Sequence, residues 1–373
     1  MKKLFLFCLV FSQLFSVSIL AKEKPKAPKS KGAKIYKVDW AKSLKTSGSK
    51  KRYFPDVATP TVDSGRVFVG SHGGDFYSID ESTGRVLWRV DSGGPIASKP
   101  LVSGEIVVVG NNKGLVNAYD ISSGSKVFTS YVGSEVLTQP VSAGGSIYVI
   151  TTAREVFSIS RDSGQVQWSS VIKGFDTRFT MRGNSSLILA NGHLYVGMSD
   201  GQVVSLSLSG GQVLWSTNLA TGQEPFKDID ANLLLDGNSI YAVGYFGYLV
   251  KLDASDGHVI YKRECRSGTN MSLSGDLLAV STTSGHVVAF DKNSGQRQWD
   301  IPLYSGTLSA PVISNNTVVV GARSGQIYVL ALDNGTVLQT IPMGSGYMGQ
   351  AVGNDGRLFA LSATAKLYSM SPR

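Results

Sequence analysis

Apolar residues recur along this chain in short alternating runs separated by glycine-marked polar turns, and the runs align into one repeated unit. GDFYSIDESTGRVLW ends at Trp88, GLVNAYDISSGSKVF at Phe128, REVFSISRDSGQVQW at Trp168, GQVVSLSLSGGQVLW at Trp215, GYLVKLDASDGHVIY at Tyr261, GHVVAFDKNSGQRQW at Trp299 and GQIYVLALDNGTVLQ at Gln339. Alternation with a period of two predicts strands with one face buried. The turn glycines Gly84, Gly124, Gly164, Gly211, Gly257, Gly295 and Gly335 follow one another at intervals of 40, 40, 47, 46, 38 and 40 residues. A period of roughly 40 residues carrying about four short strands is the length of a propeller blade, whereas a helical repeat of that size would show a 3.6-residue apolar period.

A second apolar segment precedes each unit, as in PLVSGEIVVVG from Pro100 and PVSAGGSIYVI from Pro140, with counterparts at Pro60 and Pro311. Proline suits the first residue of a strand, where no ladder donor is needed, and the Gly-Glu, Gly-Gly and Asn-Asn pairs read as hairpin turns. Each repeat is therefore four antiparallel strands. The aspartates four residues before the turn glycines, Asp80, Asp120, Asp253 and Asp291, are suited to accept hydrogen bonds from turn amides while the glycine supplies a positive φ.

The two ends of the chain complete the count. RLFALSATAKLYSMSPR supplies part of an eighth unit and stops where a tryptophan strand is due, while KIYKVDWAKSL near the N-terminus is a lone tryptophan strand with nothing before it. Joined, they make one blade and remove an exposed sheet edge. The sequence thus predicts an all-β, eight-bladed propeller of four-stranded antiparallel blades over residues 34–373, closed by pairing of the N-terminal strand with the last blade.

Residues 1–21, with Lys2 and Lys3 ahead of an apolar run from Leu4 to Leu20, read as a secretory signal peptide cleaved after Ala21. Export leaves Cys265 as the one cysteine of the mature chain, so no intramolecular disulfide is available. Residues 22–33, KEKPKAPKSKGA, read as a solvated basic spacer; residues 22–34 are suited to weak electrostatic contact with an anionic membrane. The formal charge of +9 is carried by the N-terminal part: residues 1–52 hold 14 Lys+Arg against 2 Asp+Glu, and the remainder holds 22 against 25. A propeller with a slight acidic excess argues against a nucleic-acid-binding face.

Catalytic chemistry finds no foothold in the pattern. His72, His193, His258 and His286 fall in separate repeats, with no HExxH, GxSxG or phosphate-loop motif, so no catalytic residue, metal site or cofactor site is expected. The repeat is more informative where it breaks its own spacing. From the tryptophan position to the next blade the chain takes 12 residues after Trp88, Phe128 and Trp299, but 19 after Trp168 and after Trp215. Connections of one type emerge on one face of a propeller, so the two enlarged ones should lie side by side, where function concentrates on a rigid scaffold. The first, VIKGFDTRFTMRGNSS, offers Arg178, Phe179, Met181 and Arg182; the second, NLATGQEPFKDIDANL, offers Phe226, Asp228 and Asp230. Arginine and aromatic residues are common anchors of protein contacts, and Asp-x-Asp in an extended segment puts both carboxylates on one side. The same charges are also suited to pairing with one another across the two loops.

The repeats resemble the quinoprotein-type β-propellers, and residues 177–262 resemble the BamB family of outer-membrane protein assembly factors. The matching segments are TRFTMRGNSS and KDIDANLLLDGNSIYAVGYFGYLVKLDASDGHVIYK, the latter with Asp-x-Asp followed by Ala-x-x-Tyr-x-Gly-x-Leu. The resemblance implies a non-catalytic periplasmic scaffold at the inner face of the outer membrane, without a cofactor. It implies a surface for a POTRA domain of a BamA-type barrel subunit, with contact residues Phe179, Met181, Arg182, Asp228 and Asp230, and contact with unfolded outer-membrane protein substrates. The family's lipid-modified cysteine has no counterpart near Ala21, so a soluble, unacylated protein is expected. Two other readings are a periplasmic scaffold for a different partner and a pyrroloquinoline quinone dehydrogenase, the latter implying a vicinal Cys-Cys pair that this chain lacks.

Overall fold

Eight four-stranded antiparallel sheets make up the described part of the chain, which contains no helix. The computed structural model describes residues 28, 30–44, 58–174, 184–220, 227–344 and 351–373. Blades 1 to 7 are continuous in sequence, spanning residues 61–91, 101–131, 141–171, 188–218, 234–264, 268–302 and 312–342. Blade 8 takes its three inner strands from residues 352–372 and its outer strand, Tyr36–Ser43, from the other end of the chain. The register there pairs Tyr36 with Pro372, Trp40 with Ser369 and Lys42 with Leu367, with a bulge between Val38 and Trp40. This is the eight-bladed, ring-closed architecture that the half-repeats at the two ends imply.

Position in the blade explains the two kinds of apolar run. The second and third strands are covered on both faces by neighbouring blades and read as continuous apolar segments, as in the fully buried Val107, Val108 and Val109. Outer strands are half covered and alternate; in Val166–Val171 the partly buried Trp168 and Ser170 alternate with exposed neighbours. Apolar clusters accordingly lie between blades. One joins Val108, Val116 and Phe128 of blade 2 to Ile147, Phe157 and Ile159 of blade 3.

The repeated tryptophan is the device that sets one blade against the next. Trp88 Nε1 donates to Ile121 O at 2.8 Å, Trp215 Nε1 to Ala254 O at 3.1 Å and Trp299 Nε1 to Leu332 O at 3.1 Å, each acceptor lying in the following blade. The indole lies over that blade's turn glycine: a Cβ on Gly124 would come within 2.8 Å of Trp88. Glycine is thus required both for its positive φ, +73° at Gly124, and for the room it leaves the ring. The turn aspartates close the same corner. Asp80 Oδ1 accepts from Thr83 Oγ1 at 2.7 Å, Ser82 Oγ at 2.7 Å and Thr83 N at 2.8 Å, which lowers its carboxyl to about 2.

At the seam the repeat is edited to suit. Blade 8 has no turn between its third and outer strands, because they come from opposite chain ends, so the residue at the tryptophan position of blade 7 has no turn glycine to cover. That residue is Gln339. Its Oε1 accepts from Ile35 N at 2.9 Å and Tyr36 N at 2.7 Å, and its Nε2 donates to Tyr36 O at 2.8 Å. Upstream, Lys31 N donates to Val337 O and Ala33 N to Leu338 O, both at 3.1 Å. The hydrogen-bonded chain therefore reaches into the segment read from sequence as a solvated spacer, because bare backbone donors suffice to pair with an outer-strand edge.

Candidate functional site

Strands alternate in direction, so connections from outer strand to next inner strand, and turns from second to third strand, emerge together on one face. Four of the eight outer-to-inner connections there have the same length: 92–100, 132–140, 303–311 and 343–351. Those from blade 3 to 4, residues 172–187, and from blade 4 to 5, residues 219–233, are enlarged and adjacent. A third long connection, 44–60, joins blade 8 to blade 1, and the spacing from Trp40 to Pro60 shows its length in the sequence as well. The connection from blade 5 to 6 is the opposite extreme, residues 265–267, because the inner strand of blade 6, Gly268–Ser274, begins early.

Arg178, Phe179, Met181, Arg182 and Phe226 lie outside the described residues. Asp228 and Asp230 are described, on either side of Ile229. The isoleucine packs where a Cβ on Gly197 would sit, just as Ile96 packs on Gly70 and Val136 on Gly110, so in these three connections one aliphatic residue is pinned into the preceding blade. Asp228 is fully buried, with its carbonyl accepting from Tyr245 N at 3.1 Å; Asp230 is partly buried. The ends of the two enlarged connections are joined directly, Ser186 N donating to Asn232 Oδ1 at 3.2 Å.

The stems of both connections are clamped by residues that sequence reasoning missed. Arg154 Nη1 pairs with Asp200 Oδ2 at 2.8 Å, with the aspartate side chain fully buried and that of the arginine 18% exposed. The same guanidinium donates from Nε to Ile172 O at 3.2 Å, gripping the first residue of the blade 3 to 4 connection. Gln202 Nε2 donates to Asp200 Oδ2 at 2.7 Å, and Gly174 is glycine because a Cβ there would collide with both the guanidinium and the carboxylate. The second stem is held by Lys262, whose Nζ lies 4.0 Å from the centre of the Tyr248 ring and donates to Leu219 O at 3.3 Å.

Arg154 occupies a strained position. In the second-to-third turn the other blades place Gly74, Gly114, Gly201, Gly247, Gly285 and Gly325, all at positive φ, and Ala365 at φ +56°. Arg154 stands there at φ +64°. A left-handed conformation costs a non-glycine residue about 1–2 kcal/mol, and the ion pair with the loop-stem contacts offsets it. The cue in sequence was the one repeat that opens with arginine, REVFSIS, where six others open with glycine.

Two further features bear on chemistry. Among the described residues one group has metal-ligand proximity, Asp253, Asp256 and His258, in an exposed turn on the opposite face. Asp253 Oδ1 there already accepts from Ser255 N at 2.8 Å and Asn238 Nδ2 at 2.8 Å, so the cluster is accounted for by the turn. Cys265 is buried, which pushes its thiol up to about 12. A chain beginning at residue 22, in which Cys265 is the one cysteine, is therefore expected to stay unmodified by intact mass when treated with iodoacetamide at pH 8 until it is unfolded; rapid native alkylation would show that this corner opens.

The fold and this one-sided elaboration define a quinoprotein-type β-propeller whose specialised parts are on the outer-to-inner connections. A family model described as outer membrane protein assembly factor BamB matches residues 27–127, 102–301 and 285–373, so the chain belongs to that family. BamB of Shewanella oneidensis is 25% identical over 344 residues, covering 90% of this chain and 76% of the relative. BamB of Yersinia pestis is 25% identical over 336 residues, covering 84% of each. Among solved structures, BamB from Moraxella catarrhalis superposes with a TM-score of 0.79 at 20% identity, over 90% of this chain and all of that one. A quinohemoprotein alcohol dehydrogenase from Comamonas testosteroni shares the fold, with a TM-score of 0.73 at 13% identity, over 92% of this chain and 78% of the enzyme.

Proposed function

We propose that this chain is a non-catalytic scaffold of outer-membrane β-barrel protein assembly, working in the periplasm at the inner face of the outer membrane. Its two adjacent enlarged connections dock a POTRA domain of a BamA-type barrel subunit and so assist folding and insertion of outer-membrane proteins. Family membership supports the assembly role. The observation that supports this docking face is that the described stems of both connections stand side by side and are clamped, one by the Arg154–Asp200 pair and the other by Lys262. A rigid base lowers the ordering cost of binding, which is where preorganised surfaces gain affinity.

In this reading Phe179 and Met181 supply buried apolar contact, with Arg178 and Phe226 flanking them. Arg182 and Asp230 make charged hydrogen bonds, and Asp228 holds the loop base. Truncating one partner of a desolvated charge pair costs about 2–5 kcal/mol. Arg182→Ala and Phe179→Ala are each expected to weaken binding to the periplasmic region of the BamA-type subunit by at least roughly tenfold in titration calorimetry. Glu135→Ala, in the short connection between blades 2 and 3, serves as the control and is expected to change little. Wild-type affinity in both loop variants would reject the surface; no affinity in the wild type would reject the partner.

A further inference from the structure

One position on this face follows each outer strand, where the preceding residue's amide donates to the second-to-third turn: Ser92 N to Gly74 O, Val132 N to Gly114 O and Met343 N to Gly325 O. The position itself is left-handed and glycine in those three blades, Gly93 at φ +79°, Gly133 at φ +79° and Gly344 at φ +74°. In blades 5 and 6 it is Arg266 at φ +51° and Tyr304 at φ +50°, following Cys265 and Leu303, which make the same bond. A bulky residue in this region is an outlier, and strain kept where glycine is the repeat's own solution points to a use for the side chain.

Both side chains face solvent, Arg266 at 53% and Tyr304 at 48% exposure. Asp300 organises them. It pairs with Arg266 Nε at 3.6 Å and with His286 Nδ1 at 2.6 Å, and the His286 ring meets the Tyr304 ring edge-on at 6.5 Å. The terminal nitrogens of Arg266 make no hydrogen bond among the described residues, leaving the planar fork available. Arg323 is exposed in the blade 7 turn, its N donating to Thr307 O; Glu264 and Asp300 are the acidic groups nearby, Asp300 being also 3.6 Å from Arg297. The patch is continuous with the base of the second enlarged connection: Tyr245 N donates to Asp228 O, Ser267 Oγ to Tyr245 O at 3.3 Å, and Thr283 N to Ser267 O.

We propose that Arg266 and Tyr304 form the blade 5–6 half of the docking face, binding the same folded partner domain that the enlarged connections engage. Arg266 presents its fork to a carboxylate of that domain, and Tyr304 inserts its ring into an apolar notch beside it. The proposal rests on the docking reading above. Its chemistry is that of interface anchors, an arginine and a tyrosine at the edge of a prepositioned site, and the short 265–267 connection leaves the partner room to settle there.

Glycine at these two positions separates binding from folding. In mature full-length chain, Arg266→Gly and Tyr304→Gly are each expected to leave the thermal midpoint unchanged or raised, since the strain is relieved. Each is expected to weaken titration-calorimetry affinity for the periplasmic region of the BamA-type subunit by about tenfold or more. Arg266→Lys, which keeps charge but loses the fork, is expected to recover only part of the affinity. Undiminished affinity in both glycine variants, alongside loss in Arg182→Ala, would overturn this proposal while leaving the docking reading standing. Undiminished affinity with a lowered midpoint would likewise overturn it, by assigning the two residues to folding. Absence of binding by the wild type overturns the docking reading and this proposal with it.

Discussion

A chain beginning at Leu44, without residues 30–43, is expected to lose cooperative thermal unfolding and to associate in size-exclusion chromatography, whereas one beginning at Ser30 retains both properties of the full mature protein. Removing Tyr36–Ser43 strips blade 8 of its outer strand and uncovers the ladder edge of Lys366–Pro372. It also removes Tyr36, 1% exposed, and Trp40, whose Nε1 donates to Glu81 O at 3.0 Å across the blade 8 to 1 junction. Burial of a large apolar side chain is worth about 1.5–3 kcal/mol, and net stability is of the order of 5–15 kcal/mol. Losing two such anchors with a whole strand, and opening a reactive edge, consumes most of that margin. Gln339→Leu is the graded version: three hydrogen bonds at about 1 kcal/mol each predict a clear fall in midpoint with the ring still closed. An unaltered melting profile in the truncated chain would show that the seam does not carry the ring.

The second large effect is expected at Arg154 and Asp200. Asp200→Ala leaves a largely buried guanidinium without its carboxylate, and breaking such a pair costs about 3–5 kcal/mol. Arg154→Gly is expected to cost less, because glycine recovers the roughly 1–2 kcal/mol of left-handed strain. It also restores the residue that six other blades use. The double variant Arg154→Gly with Asp200→Ala should be more stable than the sum of the single losses implies, giving a coupling energy toward the upper end of about 0.5–3 kcal/mol in a double-mutant cycle. Denaturant unfolding followed by tryptophan fluorescence measures this. Additive losses would mean that the pair acts as two unrelated contacts. Because the guanidinium also holds Ile172 O, the first enlarged connection should become more protease-sensitive in Asp200→Ala.

Much of this protein was legible along the chain because a propeller is built from local contacts repeated at a fixed interval. Glycine, aspartate and tryptophan in GDFYSIDESTGRVLW mark a turn, its hydrogen-bond acceptor and an inter-blade anchor, so blade number and ring closure follow from spacing and from the half-units at the ends. The two enlarged connections were equally visible as departures from that spacing. Tertiary structure alone decided what those departures rest on. Asp228 reads as a surface charge in sequence and is fully buried, because Ile229 beside it is pinned against Gly197 in the preceding blade. Arg154 pairs with Asp200, 46 residues away, because a turn of blade 3 and a turn of blade 4 stand next to each other on one face. Strain at Arg266 and Tyr304 is a property of backbone angles, which residue identity does not reveal until the repeat is superposed in space. Periodic local preference determines the ring. The chemistry of its working face depends on which aperiodic residues the closed ring brings together.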